Sequence, residues 1–177
     1  MKLREICAGL CLAAGSVVAA EPPVCEPPRR DMGDVAAKAT QWAEQRSWDV
    51  LLAGTKLSEE RLALAREVGV KEPGRIRVLL AGKIQLSEDP HLKAAGASVG
   101  LSPSTADGLT LGYAVVLRKG AEDDLELLRH EFRHVAQYEA CGGIEPFLKA
   151  HIGHLVERGY RDSPFEVDAR AHERSRR

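Results

Sequence analysis

"DGLTLGYAVVLRKGAEDDLELLRHEFRHVAQYEACGG" (residues 107–143) changes its hydrophobic period in the middle. Leu109, Leu111, Tyr113, Val115 and Leu117 alternate, and Gly108 and Gly120 bracket them. That period of two predicts a strand over 107–120. From 121 to 140 the spacing is helical. Its three opening acids suit the positive end of a helix dipole, and Cys141-Gly142-Gly143 supplies C-cap glycines.

Working outward, Pro146 starts another helix that runs to about Gly159, and residues 163–173 form a last one with Pro164 at its first position. The basic tail "RAHERSRR" (170–177) reads as a fraying, solvated end, with a contact arm as the alternative. Upstream, 35–52 and 58–70 have helical spacing, the second capped by Ser58. Residues 75–86 have the Val and Ile content of a strand. Helices, then strands, then helices predict an α+β fold with a small mixed or antiparallel sheet, rather than alternating α/β. Trp42 and Trp48 read as core or domain-edge aromatics.

The N-terminal segment has a different character. Lys2 and Arg4 precede an apolar run over residues 6–20 that ends in Val18-Ala19-Ala20. Its 15 residues fall short of the roughly 20 needed to span a bilayer and suit a secretory signal. An uncleaved anchor is the alternative reading. A lipid-attachment site is disfavoured, because Leu10 precedes Cys11 where Gly or Ala is wanted. The expected organisation is a signal peptide over 1–20, a Pro-rich arm over 21–32 and one domain over 33–177. The chain is then exported, periplasmic or secreted, with no stable membrane anchor after cleavage. Cys7 and Cys11 leave with the signal. Cys25 and Cys141 remain, and an oxidising compartment suggests that they form one disulfide. Two thiols too far apart to meet are the alternative. Apolar content of 44%, charged content of 29% and a net charge of −1 describe a soluble globular chain. They give no reason to expect nucleic acid as a partner.

The chemistry lies in His130-Glu131-Phe132-Arg133-His134. Residues four apart on a helix lie one above the other, so the two imidazoles address one point, as a zinc ion needs. Glu131, rotated by about 100° from His130, reaches a water bound there. This is the physical content of H-E-x-x-H: two ligands and a carboxylate base. A charged helix surface with two solvated histidines is the plainer reading. Leu127, Leu128, Phe132 and Val135 make the helix amphipathic or buried, which weighs against it. A catalytic zinc wants a third protein ligand. Glu166 is a candidate, with His172, His154 and Asp168 as rivals. Ser163 and Glu166 also have the spacing of a capping box, which would occupy the carboxylate otherwise.

"HEFRH" followed by "SPFEVDA" resembles the gluzincin metallopeptidases, zincins whose third ligand is a Glu in E-x-x-A, here Glu166 to Ala169. "GLTLGYAVVLRKG", "HEFRHVAQYEACGGIEPFL" and "GY…SPFEVDA" also resemble a group of small bacterial HExxH proteins, over about residues 60–173. The resemblance implies a zincin-like fold with an active-site helix followed by C-terminal helices. It implies Zn2+ held by His130, His134 and Glu166, with Glu131 as general base, acting on a peptide or protein substrate. A non-catalytic zinc-binding or interaction module is the alternative. Many gluzincins carry Asp where this chain has Arg170, so Asp168 or another carboxylate would orient a histidine ligand instead. By the same analogy the strand 109–118 is the sheet edge beside the cleft. Gln137, Tyr138, Tyr160 and His154 are candidates for the oxyanion side, with packing or exposure as their plainer roles.

Overall fold

Asp124 opens the helix that carries the two histidines by accepting hydrogen bonds from the Glu126 and Leu127 amides at 3.0 and 3.1 Å. The computed structural model describes residues 23, 25, 26, 33–100 and 106–174. The expected signal peptide and most of the Pro-rich arm lie outside these residues. The described elements are α1 (Gly33–Ala53), β1 (Thr55–Lys56), α2 (Glu59–Glu67), a 3-10 turn (Pro73–Arg75), β2 (Arg77–Ala81), α3 (Pro90–Ser98), β3 (Gly108–Leu111), β4 (Ala114–Arg118), α4 (Leu125–Cys141), α5 (Ile144–Asp162) and α6 (Pro164–Ala171). The fold is α+β. Its sheet is mixed, in the order β1-β2-β4-β3, with β2 and β4 parallel and the other pairs antiparallel.

The stretch 107–120 is a hairpin and not the single strand its alternation predicts. Leu111 pairs with Ala114, so Gly112 and Tyr113 form a two-residue turn, and Gly112 takes the positive φ of 66° that such a turn demands. The turn shifts the phase of the pattern. Leu109 and Leu111 pack with Ala114 and Val116 against α1, in a cluster with Ala43 and Val50. Val115 and Leu117 face the other way, onto Leu128, Phe132 and Val135 of α4 and Leu64 of α2. Both faces of the sheet are therefore covered. β4 is interior, and only β3 is the edge beside α4, which corrects the reading of 109–118 as an edge strand.

Other boundaries move for local reasons. The strand expected over 75–86 is confined to β2, because residues 73–75 turn and Gly82 leaves the ladder. The helix expected from 121 starts at Leu125, since the cap falls on the last of the three acids. β1 and α3 carry no strong periodic signal in the sequence. Trp42 packs against the α1 side of the core, whereas Trp48 is 66% exposed.

The C-terminal helices fold back onto α4. Gly142, at φ 86°, ends α4, and Gly159, at φ 75°, interrupts α5, where an L side chain would be strained. α6 docks through Phe165 and Ala169, both 0% exposed, with Phe165 edge-on to Phe147 at 4.9 Å between ring centroids. Arg133 of α4 is buried whole. It donates to both oxygens of Asp168 in α6, at 2.6 and 3.0 Å, and to the Val68 carbonyl at 2.9 Å. Cys25 and Cys141 are disulfide-bonded, with Cα atoms 5.3 Å apart, which ties the arm to the end of α4. Among the described residues no helix is long and apolar enough to cross a membrane.

Two stability outcomes are expected. Arg133→Ala removes the charged partner of the largely buried Asp168 carboxylate and lowers the unfolding free energy by about 3–5 kcal/mol, read from the urea midpoint at unchanged slope. Replacing both Cys25 and Cys141 by Ser releases a closure across 116 positions and costs about 2–5 kcal/mol in the same assay.

Candidate metal centre

The site is built by one turn of α4 and the first turns of α6. His130 and His134 lie one above the other, and their Nε2 atoms approach to 3.1 Å. The Glu166 carboxylate closes the third side: Oε2 is 3.6 Å from His130 Nε2 and Oε1 is 3.5 Å from His134 Nε2. His134 and Glu166 are buried, and the His130 side chain is 13% exposed. The capping box that competed for Glu166 does not form; Ser163 makes no side-chain cap bond, and Glu166 turns to the histidines.

The outer partners decide which ring nitrogens are available. Gln137 donates its amide hydrogens to the Phe165 carbonyl at 2.9 Å and to Asp168 Oδ2 at 2.7 Å. Both are acceptors only, so the Gln137 oxygen must be the atom that faces His134 Nδ1 at 2.8 Å. His134 therefore carries its proton on Nδ1. His130 Nδ1 lies 3.0 Å from Glu173 Oε1, an acceptor that places the proton there too. Both Nε2 atoms are left as lone pairs that face each other, an arrangement that calls for a cation between them.

The charges answer the same demand. Burial disfavours a charge on His130, but the carboxylates of Glu166, Glu131 and Glu173 outweigh it and hold its pKa up at about 9. Burial likewise pushes Glu166 up, and His134, His130 and His151 outweigh that, taking it down to about 2. Glu166 Oε2 is buried with no hydrogen-bond partner. An orphaned carboxylate oxygen beside two convergent lone pairs fits a bound metal ion, and His130, His134 and Glu166 could hold one.

Glu131 lies next to this group and is 5% exposed. Thr110 of β3 donates to its Oε2 at 2.6 Å. Gly108 of the same strand has no side chain to exclude it: a Cβ there would sit 2.2 Å from Glu131 Oε1. The edge strand thus holds the carboxylate from one side. Tyr160 follows the break at Gly159, and burial together with the nearby Glu166 and Glu131 charges raises its phenol pKa.

Several expected residues are elsewhere. Asp168 touches neither ligand ring and reaches His134 only through Gln137. Gln137 is fully buried with its amide committed, and Tyr138 donates to the Thr110 carbonyl at 3.2 Å, so neither faces open space. His154 packs near Phe165 at 5.9 Å, and His172 Nδ1 bonds the Asp168 carbonyl at 2.8 Å. The tail read as solvated has His172 buried and Glu173 against His130. Arg170 stands with Nη1 3.9 Å from Glu166 Oε2.

His151, with Nε2 3.6 Å from Glu166 Oε1, was not singled out from the sequence. Its place four residues after Phe147, on the apolar side of α5, was the available signal. Burial holds it neutral, with its pKa down at about 4.

No family model, curated protein or solved structure matches this chain.

Gln137→Leu removes the acceptor that fixes the His134 tautomer. Metal affinity should fall by about 10–100-fold, measured by chelator competition, with the far-ultraviolet circular dichroism unchanged.

Proposed function

We propose that this chain is an exported zinc-dependent peptidase of the zincin type, with Zn2+ held by His130, His134 and Glu166 and Glu131 as general base. The observation that carries the reading is the convergence of two imidazole lone pairs and an unpartnered carboxylate oxygen beside a second, held carboxylate. Zinc bonds of 2.0–2.2 Å at tetrahedral angles set ligand atoms roughly 3.3–3.6 Å apart. The two Nε2 atoms here are 3.1 Å apart, and each has a Glu166 oxygen at 3.5 Å (Oε1 to His134) or 3.6 Å (Oε2 to His130). Two nitrogens and one oxygen favour zinc over magnesium or calcium.

A bound zinc supplies Lewis acidity and lowers the pKa of water. The chain's own groups do the rest. Glu131, steadied by Thr110 and the bare backbone of Gly108, accepts a proton from the attacking water and passes it to the leaving amine. Tyr160 donates to the oxygen that gains charge. An extended peptide pairs along β3, where the Thr110 carbonyl is already taken by Tyr138, so pairing uses the remaining edge groups. The Cys25–Cys141 disulfide supports an oxidising compartment.

Burial favours a second reading, a zinc-binding module without catalysis. Glu131, His134 and Glu166 are 5%, 8% and 2% exposed. A cleft of about 760 Å³ is lined by Trp48, Tyr113, Glu139 and Ile144, and by none of the three candidate ligands.

Zinc-loaded mature chain and its Glu131→Gln variant, offered a broad peptide library, separate the two. The peptidase reading expects cleavage to fall at least about 100-fold while zinc is retained. Equal inertness with zinc retained leaves the binding module. Absence of stoichiometric zinc from the wild-type chain ends both.

A further inference from the structure

His151 lies just outside the three-ligand group, and its orientation is over-determined. Its ring stacks on Phe147 with centroids 5.2 Å apart and meets Phe165 edge-on at 5.5 Å. Its Nε2 faces Glu166 Oε1 at 3.6 Å, and its Nδ1 lies 3.4 Å from Ser163 Oγ. A carboxylate oxygen only accepts, so Nε2 carries the single proton of the neutral ring and Nδ1 accepts from the Ser163 hydroxyl. That hydroxyl is free for the task. Ser163 is fully buried at the head of α6, yet makes no side-chain cap bond to the helix.

The two oxygens of Glu166 are therefore unequal. Oε1 lies between two imidazoles, 3.5 Å from His134 Nε2 and 3.6 Å from His151 Nε2, and of the two only the His151 nitrogen carries a proton. Oε2 is buried with no hydrogen-bond partner; Arg170 comes to 3.9 Å of it, beyond hydrogen-bond reach, and its other Nη donates to the Arg161 carbonyl. We infer that His151 is a positioning residue for Glu166: it holds Oε1 through Nε2–H and so assigns Oε2 as the single oxygen that takes the metal. This rests on the reading of Glu166 as a metal ligand. At 3.6 Å the contact is longer than a full hydrogen bond; it is an approach set by rings that leave the imidazole nowhere to turn. With it, each of the three ligands has its own orienting partner: Glu173 for His130, Gln137 for His134 and the Ser163–His151 pair for Glu166.

The test uses zinc affinity by chelator competition and the visible spectrum of the Co2+-substituted full chain, whose intensity drops when a second carboxylate oxygen joins the metal. His151→Phe keeps the aromatic packing and removes the N–H. It should lose about 10–100-fold in zinc affinity and show the weaker cobalt bands. His151→Gln, which restores a donor, should recover part of both. Ser163→Ala should shift both in the same direction, and it carries the test if the Phe variant does not fold. Wild-type affinity and an unchanged cobalt spectrum in His151→Phe, or in Ser163→Ala where that variant stands in, overturn the inference. A wild-type chain that takes up neither zinc nor cobalt overturns the metal-centre reading itself, whereas normal uptake with no difference among variants removes only the role of His151.

Discussion

Two imidazole nitrogens that face each other with their protons committed elsewhere set the terms for the C-terminal half of this molecule. Glu173 and Gln137 take the Nδ1 hydrogens of His130 and His134, and the Nε2 lone pairs meet 3.1 Å apart. Such a pair is stable only around positive charge. Without a metal a proton answers the need: the Glu166, Glu131 and Glu173 carboxylates hold His130 basic and the histidines hold Glu166 acidic, despite burial that opposes both charges. A divalent ion answers the same need with one more ligand already in place. The site is best understood as a fixed demand for a cation.

Keeping that demand fixed falls to residues between and behind the ligands. Arg133, inside the H-E-x-x-H sequence, is wholly buried. Desolvating a guanidinium costs several kcal/mol, and the bidentate Asp168 and the Val68 carbonyl offset it. The pairing anchors α6 two residues beyond Glu166. Asp168 then serves twice, since it also orients Gln137 and, through it, His134. On the proposed zinc reading, no acid is needed at Arg170 to orient a histidine. Histidine orientation is delegated to an amide on α4 and to a glutamate past the end of α6, and the position left over carries a cation near Glu166.

The sheet teaches a separate lesson. Alternation through Leu109, Leu111, Tyr113, Val115 and Leu117 is real in the sequence, yet a two-residue turn at Gly112 reverses the chain inside it. Period-two reading counts residues and is blind to a reversal that keeps the chain apolar on both sides. Because α1 and α4 cover opposite faces, every residue of β4 up to Leu117 is buried, and the polarity contrast that would have exposed the turn is missing. Its consequence is functional: the reversal brings Gly108 and Thr110 alongside Glu131.

The pairing of His130 with His134, the amphipathic helix beneath them, its glycine stop and the α+β class were legible from residue order, because helix pitch and capping are local properties that neighbours in sequence determine. Glu166 was one candidate among four, and the cap at Ser163 was an equal claim on it. Its arrival at the histidines depends on Phe165, Ala169 and Asp168 packing α6 onto α4. Glu173, Thr110 and Gly108 were invisible for the same reason, and His151 showed only as a histidine on the apolar side of its helix. Each acts across a packing interface between elements distant in sequence, and only the closing of those interfaces decides which polar atoms are left without water and must find one another.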